Sequence, residues 1–300
     1  MERTNEQRAM RASIVTICCD IVLVAFKLFA GIIGRSTAML ADAVHSLSDM
    51  LTTIIVMIGV KLANRKPDKE HPYGHERFES VAAILLSVVL VVTGGGIGWV
   101  GIQQVIAGTY GDGLTVPGVI ALVAAVATIV VKEGMYRYKS RVAKKIDSSA
   151  LMADAWHHRT DSLSSIGSFI GILGARMGFP ILDPIAAIVI CLFILKAALD
   201  VFRDAIGKMT DRACDDATEA AMREIISGEE AVMGIDVLRT RLFGDKIYVE
   251  VEIAVDGEKA LNDAHDVSQR VHDAIEKEFP KVKHCTVHVN PALSPLEPAL

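Results

Sequence analysis

The chain of 300 residues is 51% hydrophobic and only 5% aromatic, carries a formal net charge of −5 and has a mean hydropathy of +0.39. Its apolar residues are concentrated between positions 12 and 201, whereas the sequence after position 211 has the composition of an ordinary soluble domain. This distribution argues against a wholly soluble protein and indicates a membrane part followed by a small soluble part. The negative net charge argues against nucleic acid as a partner.

Six stretches are long enough to cross a bilayer, because a membrane helix needs about 20 mostly apolar residues. They cover residues 12–34, 37–64, 78–107, 114–135, 149–177 and 180–203, and the second and fifth also contain polar residues. Lysine and arginine are concentrated before the first stretch, in the loop after the second and in the basic segment 132–145. By the positive-inside rule, both termini are predicted to lie in the cytoplasm. Separately, we expect the membrane to be a bacterial inner membrane.

The rest of the chain is predicted to form a small α+β domain of ferredoxin-like type, with the element order α-β-β-α-β. Residues 217–226 have helical spacing, and 236–242 and 246–255 alternate as strands around a Gly244-Asp245 turn. An amphipathic helix over 261–279 and a strand over 285–289 complete it. We therefore predict a six-helix transmembrane domain over residues 1–208, a cytoplasmic domain over 209–292 and a disordered, proline-rich tail over 293–300.

Two of the predicted membrane helices contain the same polar pattern. Residues 41–49 read ADAVHSLSD and residues 153–161 read ADAWHHRTD. Positions three, four and seven apart share one face of a helix, so each segment presents a stripe of two carboxylates and one imidazole. An aspartate at the centre of a membrane helix costs about 2.5–3.5 kcal/mol, so the stripes are expected to face each other or water. Polar contacts between helices are the structural alternative, although these do not require the same spacing twice.

The functional interpretation of the two stripes is a metal site. Two imidazole nitrogens and two carboxylate oxygens suit a tetrahedral divalent ion, most naturally zinc. The predicted ligands are His45, Asp49, His157 and Asp161. Four protein ligands leave no position for a catalytic water, which favours transport over hydrolysis, and no catalytic residue is predicted. Asp42 and Asp154, one turn away, are predicted to orient the histidines or to line a water path.

The same ligands favour exchange of a metal for protons. Metal binding requires neutral histidine and ionised aspartate, so binding releases protons and protonation expels the metal. Histidine has an ordinary pKa of about 6.5, which suits titration between the two sides of a membrane. The sequence has no Walker A motif, so ATP is not an expected partner, and it has no HExxH motif of an intramembrane metalloenzyme.

The loop DKEHPYGHER, residues 68–77, contains three further candidate ligands, Asp68, His71 and His75. Pro72 and Gly74 bend the backbone enough for both imidazoles to converge. A solvated polar loop is the structural alternative to a metal site here.

The two HxxxD segments, the HPYGH loop and the tail sequences LRTR and HVNP resemble the cation diffusion facilitator family of metal–proton antiporters, over residues 10–291. The resemblance implies a homodimer with six membrane helices per protomer, a dimerising, metal-sensing cytoplasmic domain and a transport site at the four residues above. HxxxD in both helices is similar to zinc-selective members. The resemblance also implies a second zinc site in the HPYGH loop, with a regulatory or relay role. It further implies a charge pair between Arg77 and Asp211 at the dimer hinge.

The cytoplasmic domain departs from that family's zinc-binding pattern of three histidines and a final HxD. The matching positions here are Asp236, Glu252, His265, and His288 with Asn290. The usual binuclear zinc site is therefore not expected, and a mononuclear site and a dimerising domain with little metal affinity both stay open. Carboxylates also suit iron(II) or manganese. The alternatives to a zinc exporter are thus an exporter of iron(II), manganese, cadmium or cobalt, and a metal-sensing membrane scaffold with little transport.

Overall fold

The computed structural model of the protein describes residues 5–63, 65–109, 114–146, 149–244 and 246–292. Long helices come first in the chain, over α1 (Asn5–Ile33), α2 (Thr37–Ala63), α3 (Arg77–Thr109), α4 (Val119–Ile146), α5 (Ser149–Arg176) and α6 (Leu182–Met209). The predicted tail over 293–300 lies outside the described residues, and so do several side chains within the helices, including those of Asp154 and His157.

Four helices are long and apolar enough to cross a membrane. These segments are Met10–Ile33, Arg77–Gly108, Val119–Ile146 and Leu182–Met209, with mean hydropathies of 2.2, 2.3, 1.8 and 2.5. Helices α2 and α5, which contain the HxxxD motifs, do not belong to this set within the described residues. The prediction of a helical membrane domain is confirmed, with four candidate spans, and the crossings by α2 and α5 stay a prediction.

The chain forms two compact units, one from Met1–Ile54 with Leu86–Asp200 and the other from Ile55–Leu85 with Val201–Leu300. In the first unit, fully buried small residues such as Ala30, Ala121 and Ala124 lie at the helix contacts, where they allow close approach of the backbones. Large apolar side chains such as Val22 and Phe193 are exposed instead. Exposed apolar side chains around the outside are what contact with lipid requires.

The second unit contains the α+β domain, with α7 (Asp216–Ser227), β1 (Gly234–Phe243), β2 (Lys246–Val255), α8 (Leu261–Glu278) and β3 (Val282–Pro291). This is the predicted element order. The sheet has the strand order β1-β2-β3, in which β1 and β2 are antiparallel and β2 and β3 are parallel. The parallel pair is joined through α8, as parallel strands require a crossover.

The core of this domain lies between α8 and the central strand. Val267, Val271 and Ile275 are spaced four apart on α8 and are at most 1% exposed. They belong to one apolar cluster with the inward-facing residues of β2, which are Val249, Val251, Ile253 and Val255. The period of two in the strand and of about four in the helix produces these facing apolar surfaces.

Candidate metal sites

The membrane domain brings together His45 and Asp49 of α2 with Asp161 of α5. One ligand atom from each of the three lies within 4.8 Å of the others, and His45 Nε2 is 3.9 Å from Asp49 Oδ2. Helical spacing places His45 and Asp49 on successive turns. Asp161 is buried, whereas His45 and Asp49 are partly exposed. The remaining predicted ligand, His157, has a side chain outside the described residues.

A buried lysine lies against this cluster. Lys132 of α4 donates a hydrogen bond of 2.8 Å to Asp161 Oδ2, and its Nζ is 2.9 Å from Asp20 Oδ1. One ammonium group thus faces two carboxylates, which offsets part of the cost of burying them. Lys132 lies within the predicted membrane stretch 114–135 and Lys139 lies beyond its end, but both are buried in α4, which continues to Ile146.

Asp42, one turn before the cluster on α2, belongs to a different contact. Its Oδ2 is 2.7 Å from Nζ of Lys27, and it accepts hydrogen bonds of 3.0 and 3.2 Å from Oγ of Ser165. Lys27 also donates to Ser46 Oγ at 2.9 Å, and it is fully buried. In the structure the carboxylate of Asp42 pairs with a lysine, and its role in orienting a histidine or lining a water path stays a prediction.

The predicted loop residues also lie together. Asp68 Oδ1 is 3.5 Å from His71 Nδ1, and Asp68 Oδ2 is 3.2 Å from His75 Nε2. The backbone N–H groups of His71 and Glu70 donate to Asp68, and the bond from His71 does most to hold the pKa of this carboxyl below its ordinary value. Asp68 is therefore kept ionised, as a metal ligand must be. Gly74 has a φ of 102°, which allows the turn that brings His75 back.

The same loop is attached to the α+β domain. Arg77 donates to the carboxylate of Asp211, and Asp211 adopts a φ of 57°, which is uncommon for a residue with a side chain. Lys283 of β3 pairs with Glu76 and donates to the carbonyl of Tyr73 at 2.8 Å. The contacts of Lys283 were not predicted, since nothing in its local sequence indicates a partner more than 200 positions away.

The β1–β2 turn completes this attachment. Gly244 has a φ of 65°, and a Cβ there would lie 2.8 Å from the carbonyl oxygen of Glu76, which is too close for any other residue. Glycine is therefore required both by the turn and by the approach of the loop.

Two of the ligands predicted in the α+β domain, Asp236 and Glu252, share a hydrogen-bond partner. Asn290 donates to Asp236 Oδ2 at 2.9 Å and to Glu252 Oε2 at 3.2 Å, so an amide joins the two carboxylates. His288 lies opposite Glu252 in the sheet, and His265 is exposed near the start of α8. Among the described residues, no group of three candidate ligand atoms within 4.8 Å of one another includes any of these predicted ligands. A different group, His272, Glu276 and His284, does meet that distance.

Comparisons with known proteins find two family domains in consecutive parts of the chain. Residues 13–209 match the model of the cation efflux transmembrane domain, and residues 214–292 match that of the cation efflux protein, cytoplasmic domain. The matches follow each other along the chain and together cover most of it.

Three curated relatives extend the comparison. Metal tolerance protein C1 of Arabidopsis thaliana is 34% identical over 92% of this chain, which spans 61% of that relative's length. An uncharacterized transporter of Methanocaldococcus jannaschii is also 34% identical, over 92% of this chain and 96% of its own. Manganese efflux system protein MneS of Bacillus subtilis is 30% identical over 97% of this chain and 99% of its own. The chain therefore belongs to the cation diffusion facilitator family, whose members are transporters that export divalent metal cations.

Proposed function

We propose that the protein exports Zn²⁺ from the cytoplasm in exchange for protons and that His45, Asp49, His157 and Asp161 bind the transported ion. The observation that carries this proposal is the approach of His45, Asp49 and Asp161, from two helices, to within 4.8 Å in the membrane domain. Imidazole nitrogen with carboxylate oxygen is a donor set that zinc accepts in tetrahedral geometry. The repeated HxxxD spacing supports His157 as the fourth ligand.

Proton exchange follows from the chemistry of these ligands. A metal competes with protons for imidazole nitrogen and carboxylate oxygen, so the proton concentration on the side to which the site opens determines whether the ion is bound or released. Lys132 adds a second positive charge beside Asp161, 2.8 Å from its Oδ2. A divalent ion on Asp161 repels this ammonium toward Asp20, which is already 2.9 Å from it. Lys132 and the metal thus compete for one carboxylate.

The proposal includes a topology and an assembly. Helices α2 and α5 complete six crossings, because ligands on them must lie at membrane depth for transport. We place both termini in the cytoplasm of a bacterial cell, with residues 1–208 in the membrane, 209–292 as the cytoplasmic domain and 293–300 as a tail. The resemblance of the chain to its family supports a homodimer. The ion pair between Arg77 and Asp211 then lies at the dimer hinge.

Asp68, His71 and His75 are proposed as a second zinc site, either regulatory or a relay. Its geometry supports metal binding, since two imidazoles face one carboxylate that is held ionised by backbone N–H donors. The loop is attached to the α+β domain through Lys283 and Glu76. Binding of a metal ion to the loop would therefore affect the conformation of that domain.

Manganese is the second candidate substrate, with iron(II) close to it chemically. Curated relatives from Bacillus subtilis are named manganese efflux system proteins, and one of them covers 97% of this chain. The α+β domain also has Asp236 and Glu252 where zinc-binding members have histidines, and carboxylates favour harder ions. A scaffold with little transport is the remaining alternative.

Flux measurements in proteoliposomes test the proposed transport, the identity of the metal and the coupling to protons. The purified protein is reconstituted, a proton gradient is imposed, and movement of Zn²⁺, Mn²⁺ and iron(II) is followed with internal pH. Asp49→Ala is the inactive variant, and Asp266→Ala, which removes an exposed carboxylate of α8, is the matched control. We expect Zn²⁺ to move against protons in the wild type and in Asp266→Ala but not in Asp49→Ala.

The other outcomes are equally informative. If Mn²⁺ or iron(II) moves and Zn²⁺ does not, and if this movement is lost in Asp49→Ala, the proposed transport site is supported but the transported metal is not zinc. Metal flux without any change of internal pH would disprove proton exchange. If none of the three ions moves, the remaining alternative is the membrane scaffold with little transport.

A further inference from the structure

A third group of metal-ligand side chains lies in the α+β domain, apart from those predicted there. His272 and Glu276 are on successive turns of α8, and His284 is near the start of β3. We propose that these three side chains bind one Zn²⁺ ion, in addition to the transported one. The site does not depend on the proposed direction or coupling of transport.

The separations between the ligand atoms fit a tetrahedral ion. His272 Nε2 is 3.3 Å from Glu276 Oε1, and His284 Nδ1 is 3.4 Å from the same oxygen. Zinc bonds of 2.0–2.1 Å in tetrahedral geometry place neighbouring ligand atoms about 3.3 Å apart. Both separations from Glu276 therefore already match a coordination shell, and the two histidines contribute ligand atoms within 4.8 Å of each other.

The hydrogen bonds of His272 orient the ring for metal binding. Its Nδ1 is 2.6 Å from the carbonyl oxygen of Cys285, and since a carbonyl can only accept, Nδ1 carries the hydrogen. In the neutral ring Nε2 then carries a lone pair, which faces the carboxylate of Glu276. Two acceptors at 3.3 Å repel each other unless a proton or a cation lies between them. A histidine that donates to a backbone carbonyl while binding metal through its other nitrogen is a common arrangement.

Glu276 is held in place as well. Its Oε1 accepts a hydrogen bond of 3.1 Å from the backbone N–H of Cys285. The Cys285 side chain is only 1% exposed and lies in the apolar core, so it does not take part. Backbone groups of β3 thus fix both ligands that come from α8.

Solvent reaches this group, so an ion can enter. His272, Glu276 and His284 have side-chain exposures of 25%, 34% and 56%. Two histidines and a glutamate leave one tetrahedral position for water or for another ligand. A bound ion would connect α8 to β3 near the turn between them. Zinc at this position would therefore stiffen the domain in response to cation concentration.

Binding of Co²⁺ to the full-length protein in detergent tests the proposal, because tetrahedral Co²⁺ has a visible absorption spectrum. The background carries Asp49→Ala and Asp68→Ala, which remove a ligand from each of the other two clusters. His272→Ala and His284→Ala are compared in this background with Asp266→Ala, which removes an exposed carboxylate of the same helix that belongs to none of the candidate sites. We expect one equivalent of Co²⁺ per chain, with affinity at least about tenfold lower in the first two variants and unchanged in the third.

Equal binding by His284→Ala and Asp266→Ala would overturn the proposal and would mean that a proton links His272 to Glu276. His284 is more than half exposed, so its loss does not endanger folding, and this variant decides the outcome if His272→Ala is unstable. If the background does not fold, the same comparison is made in the wild-type chain, where loss of one bound equivalent in His284→Ala supports the site.

Discussion

The helical unit and the α+β domain both bring histidines and carboxylates together, but in opposite surroundings. In the helical unit charged side chains are buried, as Lys27 and Asp42 show with exposures of 0% and 1%, while Val22 and Phe193 are more than 60% exposed. In the α+β domain the interior is apolar, and the candidate ligands lie at the surface. A buried charge must be paired, whereas an exposed one need not be. Folding and ligand chemistry are therefore coupled in the first region and separable in the second.

The largest effect is expected from Lys27→Met in the helical unit. This change leaves Asp42 buried without its cation, and breaking a buried pair costs about 3–5 kcal/mol. The thermal unfolding of the purified protein in detergent measures this loss. Adding Asp42→Asn removes the uncompensated charge and should recover most of the stability. A double variant no more stable than Lys27→Met would show that the unpaired charge of Asp42 is not the cause of the loss. The helical unit would then not differ from the α+β domain in its need to pair buried charges.

The α+β domain should lose stability through its core and not through its ligands. Ile275→Ala removes a fully buried side chain and is expected to cost about 2–5 kcal/mol. His284→Ala without metal should change stability by no more than about 0.5 kcal/mol. Hydrogen exchange of the β2 amides in the full-length chain measures both. Equal loss of protection in the two variants would contradict the separation of folding from ligand chemistry.

The ion pair between Arg77 and Asp211 tests an intermediate case. Both side chains are partly exposed, at 33% and 49%, so Arg77→Ala is expected to cost no more than about 1 kcal/mol. Arg77 also lies 4.9 Å from the centre of the Phe243 ring, so Arg77→Lys retains charge but loses part of this contact. Thermal unfolding of both variants gives the comparison, and a loss as large as that of Lys27→Met would place this pair with the buried ones.

The smallest effect concerns pH and Asp68. Its pKa is lowered below the ordinary value of 3.8, chiefly by the backbone N–H of His71. The folded state therefore gains stability from the ionised carboxyl above about pH 4, and loses it as pH falls through the lowered pKa. Asp68→Asn should be less stable than wild type at neutral pH and equal to it in strong acid. A difference that persists unchanged in acid would show that the charge of Asp68 is not its cause.

Local spacing accounts for what could be predicted. The candidate ligands His45 and Asp49 come from helical periodicity, and Asp68, His71 and His75 come from one short turn. The element order of the α+β domain follows from alternation and from the Gly244 turn. In each of these cases the information lies within about ten residues of sequence.

The remaining contacts depend on partners far along the chain. Lys132 begins a basic segment, and nothing in its local sequence indicates that it lies against Asp20 and Asp161. His272 and Glu276 have the helical i, i+4 spacing of paired ligands. Only the return of β3 beside α8 adds His284, and only strand pairing brings Asn290 to Asp236.

The absence of a side chain at Gly244 has a practical consequence for observing this protein at work. The turn lies so close to the backbone at Glu76 that even one added carbon at position 244 would lie 2.8 Å from the Glu76 carbonyl oxygen. A rigid displacement of one must therefore displace the other. A pair of spectroscopic labels, one on the HPYGH loop and one on an exposed position of α7, would keep a constant separation during the transport cycle. In Gly244→Ala the added carbon must displace the turn or the loop, so the same labels would report a changed separation before any transport takes place.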